Sequence, residues 1–265
     1  MVNSSITIYT LPCLSDNYAY VVHNRATGTA AVVDVPEAGP LVDKISQLNL
    51  PVTDIFLTHH HWDHIDGLPD LQAALTGFLG QSRARVIGAK ADAHRLPALD
   101  QAVGPGDRVT LCGIEGDIYD VSGHTLGHLA LHLPSAKAVF SADSLMAMGC
   151  GRLFEGSAVQ MWHSLQQFRS LSKDTWVYSG HEYTATNMAF TQTLGEDNPA
   201  IAARAAQITK DRAAGQATVP SPLALELQTN PFLRADDPAL QAAVGMPGAT
   251  AEQVFTEIRS RRDKF

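Results

Sequence analysis

Seven consecutive residues, Thr58-His59-His60-His61-Trp62-Asp63-His64, hold four imidazoles and a carboxylate, a donor density that points to metal binding. The apolar run Asp54-Ile55-Phe56-Leu57 just before them reads as a buried strand, so the cluster falls where a strand gives way to a loop. In an extended segment residues two apart share a face, which aims His59 and His61 at one point and turns His60 away. Asp63 and His64 come beyond the bend and can serve a neighbouring point, so the spacing suggests two adjacent metal positions. The plain alternative is a solvated histidine loop or a purification tag. An internal tract that follows a strand and carries an interposed aspartate argues against both.

A dinuclear site needs three to four protein ligands per metal and an open position for water. Further donors lie downstream. Gly123-His124-Thr125 follows the strand candidate 117–121, Ala142-Asp143-Ser144 follows the apolar run 138–140, and Gly180-His181-Glu182 follows Trp176-Val177-Tyr178. All four sets come just after expected strands, on loops that could converge at one sheet edge. An isolated histidine there is commonly structural, and His128, four residues past His124, suits a hydrogen bond to the loop or to a ligand. His23, His94, His132 and His163 have no such setting and are assigned no role. Nitrogen and oxygen donors without thiolate suit two divalent ions, zinc being the expected metal and iron or manganese also compatible.

The elements that must position these donors alternate up to about residue 180. Strands are expected over 6–11, 18–22, 29–35, 54–58, 85–88, 107–111, 117–121, 129–133, 138–141 and 175–179, and helices over 40–48, 67–79 and 158–171. Strands outnumber helices and many are joined by short turns, so the sheets must be mixed. After His181 the character changes. Asn198-Pro199 is a helix start, the Ala-rich segment 200–214 is a strong helix former, Thr218-Val219-Pro220-Ser221-Pro222 ends it, and 249–262 reads as a final helix. The expected organisation is an α/β domain over 1–180 and a smaller helical domain over 181–265.

A hydrophobic share of 45% and a charged share of 17% fit a globular chain with a sizeable core. The net charge of −8 argues against nonspecific binding to nucleic acid or anionic lipid. The first residues, Met1 to Ile8, lack a basic leader followed by a long apolar run, and no segment reaches membrane-span length, so a cytoplasmic location is expected. Cys13, Cys112 and Cys150 are far apart and odd in number, which reads as reduced thiols with packing roles. A nucleophilic Cys150 is the minor alternative. The last seven residues carry Arg259, Arg261, Arg262 and Lys264 against Asp263, a basic end suited either to an anionic ligand or to the helix dipole.

The HxHxDH pattern with His124, Asp143 and His181 resembles the metallo-β-lactamase superfamily. Within it, the tract 58–64, Gly149-Cys150-Gly151-Arg152-Leu153-Phe154-Glu155-Gly156, Gly180-His181-Glu182-Tyr183-Thr184 and Asn230-Pro231-Phe232-Leu233-Arg234 are similar to the glyoxalase II (hydroxyacylglutathione hydrolase) family. The matches run from Leu14-Ser15-Asp16-Asn17-Tyr18 to the basic end. This resemblance implies a four-layer αββα sandwich with a helical C-terminal domain that helps bind glutathione. It implies that His59, His61 and His124 hold one metal, that Asp63, His64 and His181 hold the other, and that Asp143 bridges them. It also turns Arg152, Phe154, Tyr183, Arg259 and Arg262 towards the glutathione part of a substrate. The chain departs from the family pattern at Asp66, where many relatives have Gly, at Phe154, where some have Tyr, and at Arg262, where Lys is usual.

The activity so implied is hydrolysis of an S-(2-hydroxyacyl)glutathione thioester, typically S-D-lactoylglutathione, in methylglyoxal detoxification, by hydroxide attack on the thioester carbonyl. A thiol of pKa near ~8.5 leaves as thiolate without a dedicated general acid. The expected protein is a monomer acting on a small-molecule thioester. The competing expectations are an iron-dependent persulfide dioxygenase, a β-lactamase or lactonase, and a noncatalytic metal-stabilised binding module.

Overall fold

The computed structural model describes residues 5–265. The reading of the N-terminal stretch rests in part on residues 1–4, which lie outside the described residues. The chain forms two compact units, one of residues 5–120 and 127–140, the other of residues 121–126 and 141–265.

The first unit is built on a six-stranded mixed sheet. Strand β1 (Ile6–Cys13) runs antiparallel to β2 (Asn17–Asn24), which runs antiparallel to β3 (Thr29–Val33). From β3 the pairing turns parallel. Helix α1 (Gly39–Leu48) crosses to β4 (Val52–Phe56), the helices α2 (Trp62–Ile65) and α3 (Leu68–Thr76) lie between β4 and β5 (Arg85–Ala89), and β6 (Gln101–Val103) closes the order. Parallel strands are covered on both faces and so read as continuous apolar runs. Ala30 to Val33 and Ile55 to Leu57 are all fully buried. The helices contribute one apolar face each, Leu41 and Ile45 from α1 and Leu68, Leu71 and Leu75 from α3, at the three- and four-residue spacing of a helix. Each such leucine stabilises the fold by ~1.5–3 kcal/mol through burial.

An antiparallel meander completes this unit: β7 (Arg108–Leu111), β8 (Ile114–Asp120), β9 (Leu129–Leu133) and the first residues of β10 (Ala138–Ala142). Cys112 and Gly113 join β7 to β8 with φ of 42° and 81°. Both central residues of a two-residue hairpin are left-handed when the turn follows the strand twist.

The second unit takes the end of β10, the small hairpin β11 (Leu145–Met146) and β12 (Gly149–Cys150), and the antiparallel pair β13 (Trp176–Ser179) and β14 (Ser221–Pro222). Six helices surround them: α4 (Ala158–Arg169), α5 (Thr184–Thr193), α6 (Pro199–Ala213), α7 (Leu223–Thr229), α8 (Pro238–Ala243) and α9 (Ala251–Lys264). Their starts are written locally. Ser157 with Gln160 and Thr250 with Gln253 form capping boxes on α4 and α9, and Asn198 caps α6 ahead of Pro199. Helices α4 and α9 pack through Trp162 against Phe255, which in turn meets Phe232 edge-on.

A buried polar network ties the C-terminal helices to the β11–β12 hairpin. Glu226 of α7 is fully buried and paired with Arg204 of α6, which also donates to Thr229. The other Glu226 oxygen accepts the Met148 N–H and the Asn230 amide, at 2.9 and 3.0 Å. The same Asn230 amide donates to the carbonyls of Met146 and Gly149, so it clamps both sides of the hairpin turn. Buried polar groups are tolerated only when partnered in this way.

The α/β class and mixed sheets match the expectation, as do most of the strands. Strand β3 stops at Val33 rather than at 35, because Asp34 takes φ 56° and leaves the sheet. Elements β6, β11, β12, β14, α2, α5, α7 and α8 were not expected from the sequence; each is short or lacks a strong period. The compact units also differ from a division after residue 180. Residues 121–126 and 141–180 cluster with the C-terminal helices by proximity, whereas the change in composition comes at His181.

Candidate metal centre

The first unit supplies the tract after β4. Residues 57–61 link β4 to α2 without regular structure, His61 being extended at φ −64° and ψ 141°, and α2 begins at Trp62. Alternation along the extended part separates the rings as the spacing predicts. His59 and His61 present ligand atoms within 4.8 Å of each other, as do His59 and His64, and Asp63 and His64. His60 turns the other way and donates from Nδ1 to Asp92, 3.1 Å away, which also receives Arg95. Asp92 in turn occupies the space that a side chain at residue 127 would fill. A Cβ added to Gly127 would lie 2.2 Å from the Asp92 carboxyl carbon.

One carboxylate behind the tract orients two of its rings. Asp34 accepts the Thr58 N–H at one oxygen and the Thr58 hydroxyl and His64 Nδ1–H at the other, each at 2.8 Å. A carboxylate only accepts, so the Thr58 proton points at Asp34 and the Thr58 oxygen faces His59 Nδ1 at 3.0 Å as an acceptor. His59 and His64 therefore both carry the proton on Nδ1 and turn the Nε2 lone pair forward. That is the tautomer a cation needs. Asn17, at the start of β2, holds Asp63 by donating to its carbonyl and to its carboxylate Oδ2, at 2.9 and 3.1 Å. His128 stacks on His59 with centroids 4.5 Å apart and gives Nδ1 to the Leu129 carbonyl, a backing role.

The second unit gathers His124, Asp143 and His181. The Gly180 N–H donates to the Ala142 carbonyl, which sets the ends of β13 and β10 side by side and brings His181 to Asp143. The Nε2 atoms of His124 and His181 each stand 3.3 Å from the same Asp143 oxygen. His124 donates Nδ1–H to the Arg152 carbonyl at 2.7 Å, so the neutral ring aims a lone pair at that oxygen. Two acceptors at this distance repel unless a proton or cation lies between them, which makes this trio suited to a cation. Gly151 allows the approach: a Cβ there would lie 1.9 Å from the Asp143 carbonyl oxygen.

The five residues implied as substrate contacts all lie in this second unit. Phe154, 61% exposed, sits edge-on to His124, and Tyr183, 37% exposed, stacks on His181 at 4.7 Å. Arg152 carries a 60% exposed side chain above the carbonyl that holds His124. Arg259 is only 5% exposed; its Nη1 donates to the Cys150 and Gly151 carbonyls and its Nη2 to Asp263. Arg262 donates to Asn187 and lies over the Phe190 and Phe265 rings. Burial, then the nearby Arg259 and Arg152, push the Arg262 guanidinium below its ordinary value. Asp66 takes φ −65° and ψ −24°, a right-handed conformation open to any residue, so no glycine is required there.

Cys150 is no nucleophile in this setting. Burial pushes its thiol up to about 11 in spite of Arg259, and its surroundings are those of packing. Asp34, Thr58, Asn17 and Asp92 are the positioning residues that sequence reasoning missed. The available signal for Asp34 was a lone carboxylate closing the apolar run Ala30 to Val33.

Comparison with known proteins bears on the family and the fold. The family profile described as the hydroxyacylglutathione hydrolase C-terminus matches residues 182–265, and that of the metallo-β-lactamase superfamily matches residues 15–76. The chain is 53% identical over 260 residues to a hydroxyacylglutathione hydrolase of Ruegeria pomeroyi, covering 98% of this chain and 99% of the relative. It is 55% identical over 258 residues to another from Jannaschia sp., covering 97% and 98%. Among solved structures it resembles ETHE1 from Myxococcus xanthus, with a TM-score of 0.64 at 23% identity over 96% of this chain and 90% of that one. The BLEG-1 B3 metallo-β-lactamase gives a TM-score of 0.64 at 18% identity over 86% and 99%. The fold is that of the metallo-β-lactamases, and the His and Asp donors are a set for divalent metal ions.

Proposed function

The chain belongs to the hydroxyacylglutathione hydrolase family, and from that membership we propose that it hydrolyses the thioester of S-(2-hydroxyacyl)glutathione, typically S-D-lactoylglutathione, to glutathione and D-lactate in methylglyoxal detoxification. The observation that carries this reading is the near-full-length identity of about half the residues with hydroxyacylglutathione hydrolases. The forward-facing Nε2 atoms of His59, His64 and His124 support it independently.

Held by His59, His61 and His124 on one side and Asp63, His64 and His181 on the other, with Asp143 shared, two divalent cations, zinc being the expected metal, would supply Lewis acidity and hydroxide at neutral pH. The chain's own part is positional. Asp34 and Thr58 fix two imidazoles, Asn17 fixes Asp63, and the Arg152 carbonyl fixes His124. Arg152, Phe154, Tyr183, Arg259 and Arg262 face the glutathione part of the substrate in this reading, Arg152 and Arg262 as cations for its carboxylates and the buried Arg259 as the brace beneath them. Hydroxide adds to the carbonyl carbon, the C–S bond breaks, and sulfur leaves as thiolate, since a thiol of pKa ~8.5 needs no protonation in the step. The helical stretch 181–265 acts in this reading as the glutathione-binding module of a cytoplasmic monomer. Among the described residues no helix is long and apolar enough to cross a membrane.

Purified protein is assayed for loss of the S-D-lactoylglutathione thioester absorbance, with metal counted on the same sample. Turnover with about two metals per chain is expected. One iron per chain with oxygen uptake, and no thioester loss, would overturn the reading.

A further inference from the structure

Asp263 is out of place for a helix. It lies in the last turn of α9 beside Arg261, Arg262 and Lys264, where the helix dipole favours cations and disfavours a carboxylate. Its pairing with Arg259 puts the base N-terminal to the acid, the weaker order for an i,i+4 pair. The helix by itself therefore disfavours it, and its pairing with the buried Arg259 guanidinium holds it there. The carboxylate also stands among the cations of the substrate face. Its Oδ1 receives Arg259 Nη2 at 2.8 Å and lies 3.7 Å from Arg152 Nε, and the Arg262 guanidinium feels Arg259, Arg152 and Asp263 together. At 39% side-chain exposure it is open to a ligand.

As the counter-charge of the buried Arg259, Asp263 also lowers by one the positive charge that a substrate's carboxylates would meet. A glutathione thioester offers more than carboxylates. It has two of them and one ammonium, the last on the γ-glutamyl α-carbon, and three guanidinium groups with one carboxylate complement that set. We propose that Asp263 receives the γ-glutamyl α-ammonium and so restricts the site to thioesters with a free amino-acid terminus; this rests on the thioester reading above. Arg259 and Arg152 hold the carboxylate in place, and the substrate's own carboxylates meet the guanidinium groups around it.

The test is steady-state kinetics on S-D-lactoylglutathione and on its analogue acetylated at the γ-glutamyl nitrogen, with the metal-loaded wild type and Asp263→Asn. The wild type is expected to show a KM about tenfold lower for the free amine, the worth of one charge-assisted hydrogen bond. Asp263→Asn should raise that KM about tenfold and leave unchanged or lower the KM of the acetylated analogue, with kcat and metal content as in the wild type. A variant that raises both KM values equally would make Asp263 a mere brace for Arg152 and Arg259 and overturn the proposal. So would a wild type that hydrolyses both compounds without preference, which leaves the thioester reading intact. Inactivity of the wild type on both removes that reading and the proposal with it.

Discussion

Thr58→Val separates the two halves of the proposed metal centre. The substitution nearly preserves shape and deletes the hydroxyl that lies between His59 Nδ1 at 3.0 Å and Asp34 at 2.8 Å. The Thr58 N–H and His64 bonds to Asp34 survive it. What remains is a buried His59 N–H without its acceptor, a cost of about 1–3 kcal/mol, and a ring free to take the wrong tautomer. Loss of such an outer partner lowers metal affinity by a factor of ~10–100. The metal held by His59 should weaken by that factor and the metal held by His64 should stay. Asp34→Asn behaves differently, because an amide presents one oxygen where two carboxylate oxygens serve three donors. Its NH2 must face at least one of those donors, so the His59 and His64 sides are both disturbed and both metals weaken. The assay is competition with a chelator of known affinity, with bound metal counted by mass spectrometry and thermal unfolding of the metal-free proteins run alongside. A Thr58→Val protein that loses both metals together, or keeps both at wild-type affinity, would refute the relay through Thr58.

Arg262→Ala should raise KM for S-D-lactoylglutathione about tenfold with metal content unchanged; unaltered steady-state kinetics would count against the glutathione assignment. Gly151→Ala forces a Cβ into the Asp143 carbonyl, so it should deplete metal and cut turnover while the far-ultraviolet circular dichroism stays native. Burial lifts the thiols of Cys13 and Cys112 to about 12 and that of Cys150 to about 11 from an ordinary 9.0. Raised acids contribute stability below the unfolded value and lose it as pH climbs, so stability should fall between pH 9 and 12, and a triple alanine variant should show a shallower alkaline fall in urea titrations. The same burial predicts no labelling by a thiol reagent at pH 8 until denaturant is added.

The candidate donors stood out where a strand's apolar run is itself a strong signal: Ile55 to Leu57 before His59, and Val177 and Tyr178 before His181. Alternation in an extended segment separated His60 from its neighbours correctly, since geometry of period two is local. Asp34 was not legible. Its partners Thr58 and His64 lie 24 and 30 residues away, and nothing local marks a carboxylate as the base of a relay. Helix α5 escaped notice because its apolar residues lack a clean period, its buried positions including Thr184, Asn187 and Thr191. Arg259 shows the opposite limit. A basic end looks solvent-facing in sequence, yet packing against Cys150 and Phe232 buries this one side chain and leaves Arg152 outside.

The Asn230 clamp has a consequence in time. Residues 146 and 149 leave the ribosome some 80 positions before the amide that pins their turn, and Glu226 comes almost as late. Until then the hairpin that carries Gly151 against Asp143 has only its own pairing and the Asn187 amide on the Ala147 carbonyl to hold its turn. A nascent chain thus exposes the His-rich tract early while Asp143 waits for the C-terminal helices. The donors of the second unit are therefore fully braced only once residues 226 and 230 have been made.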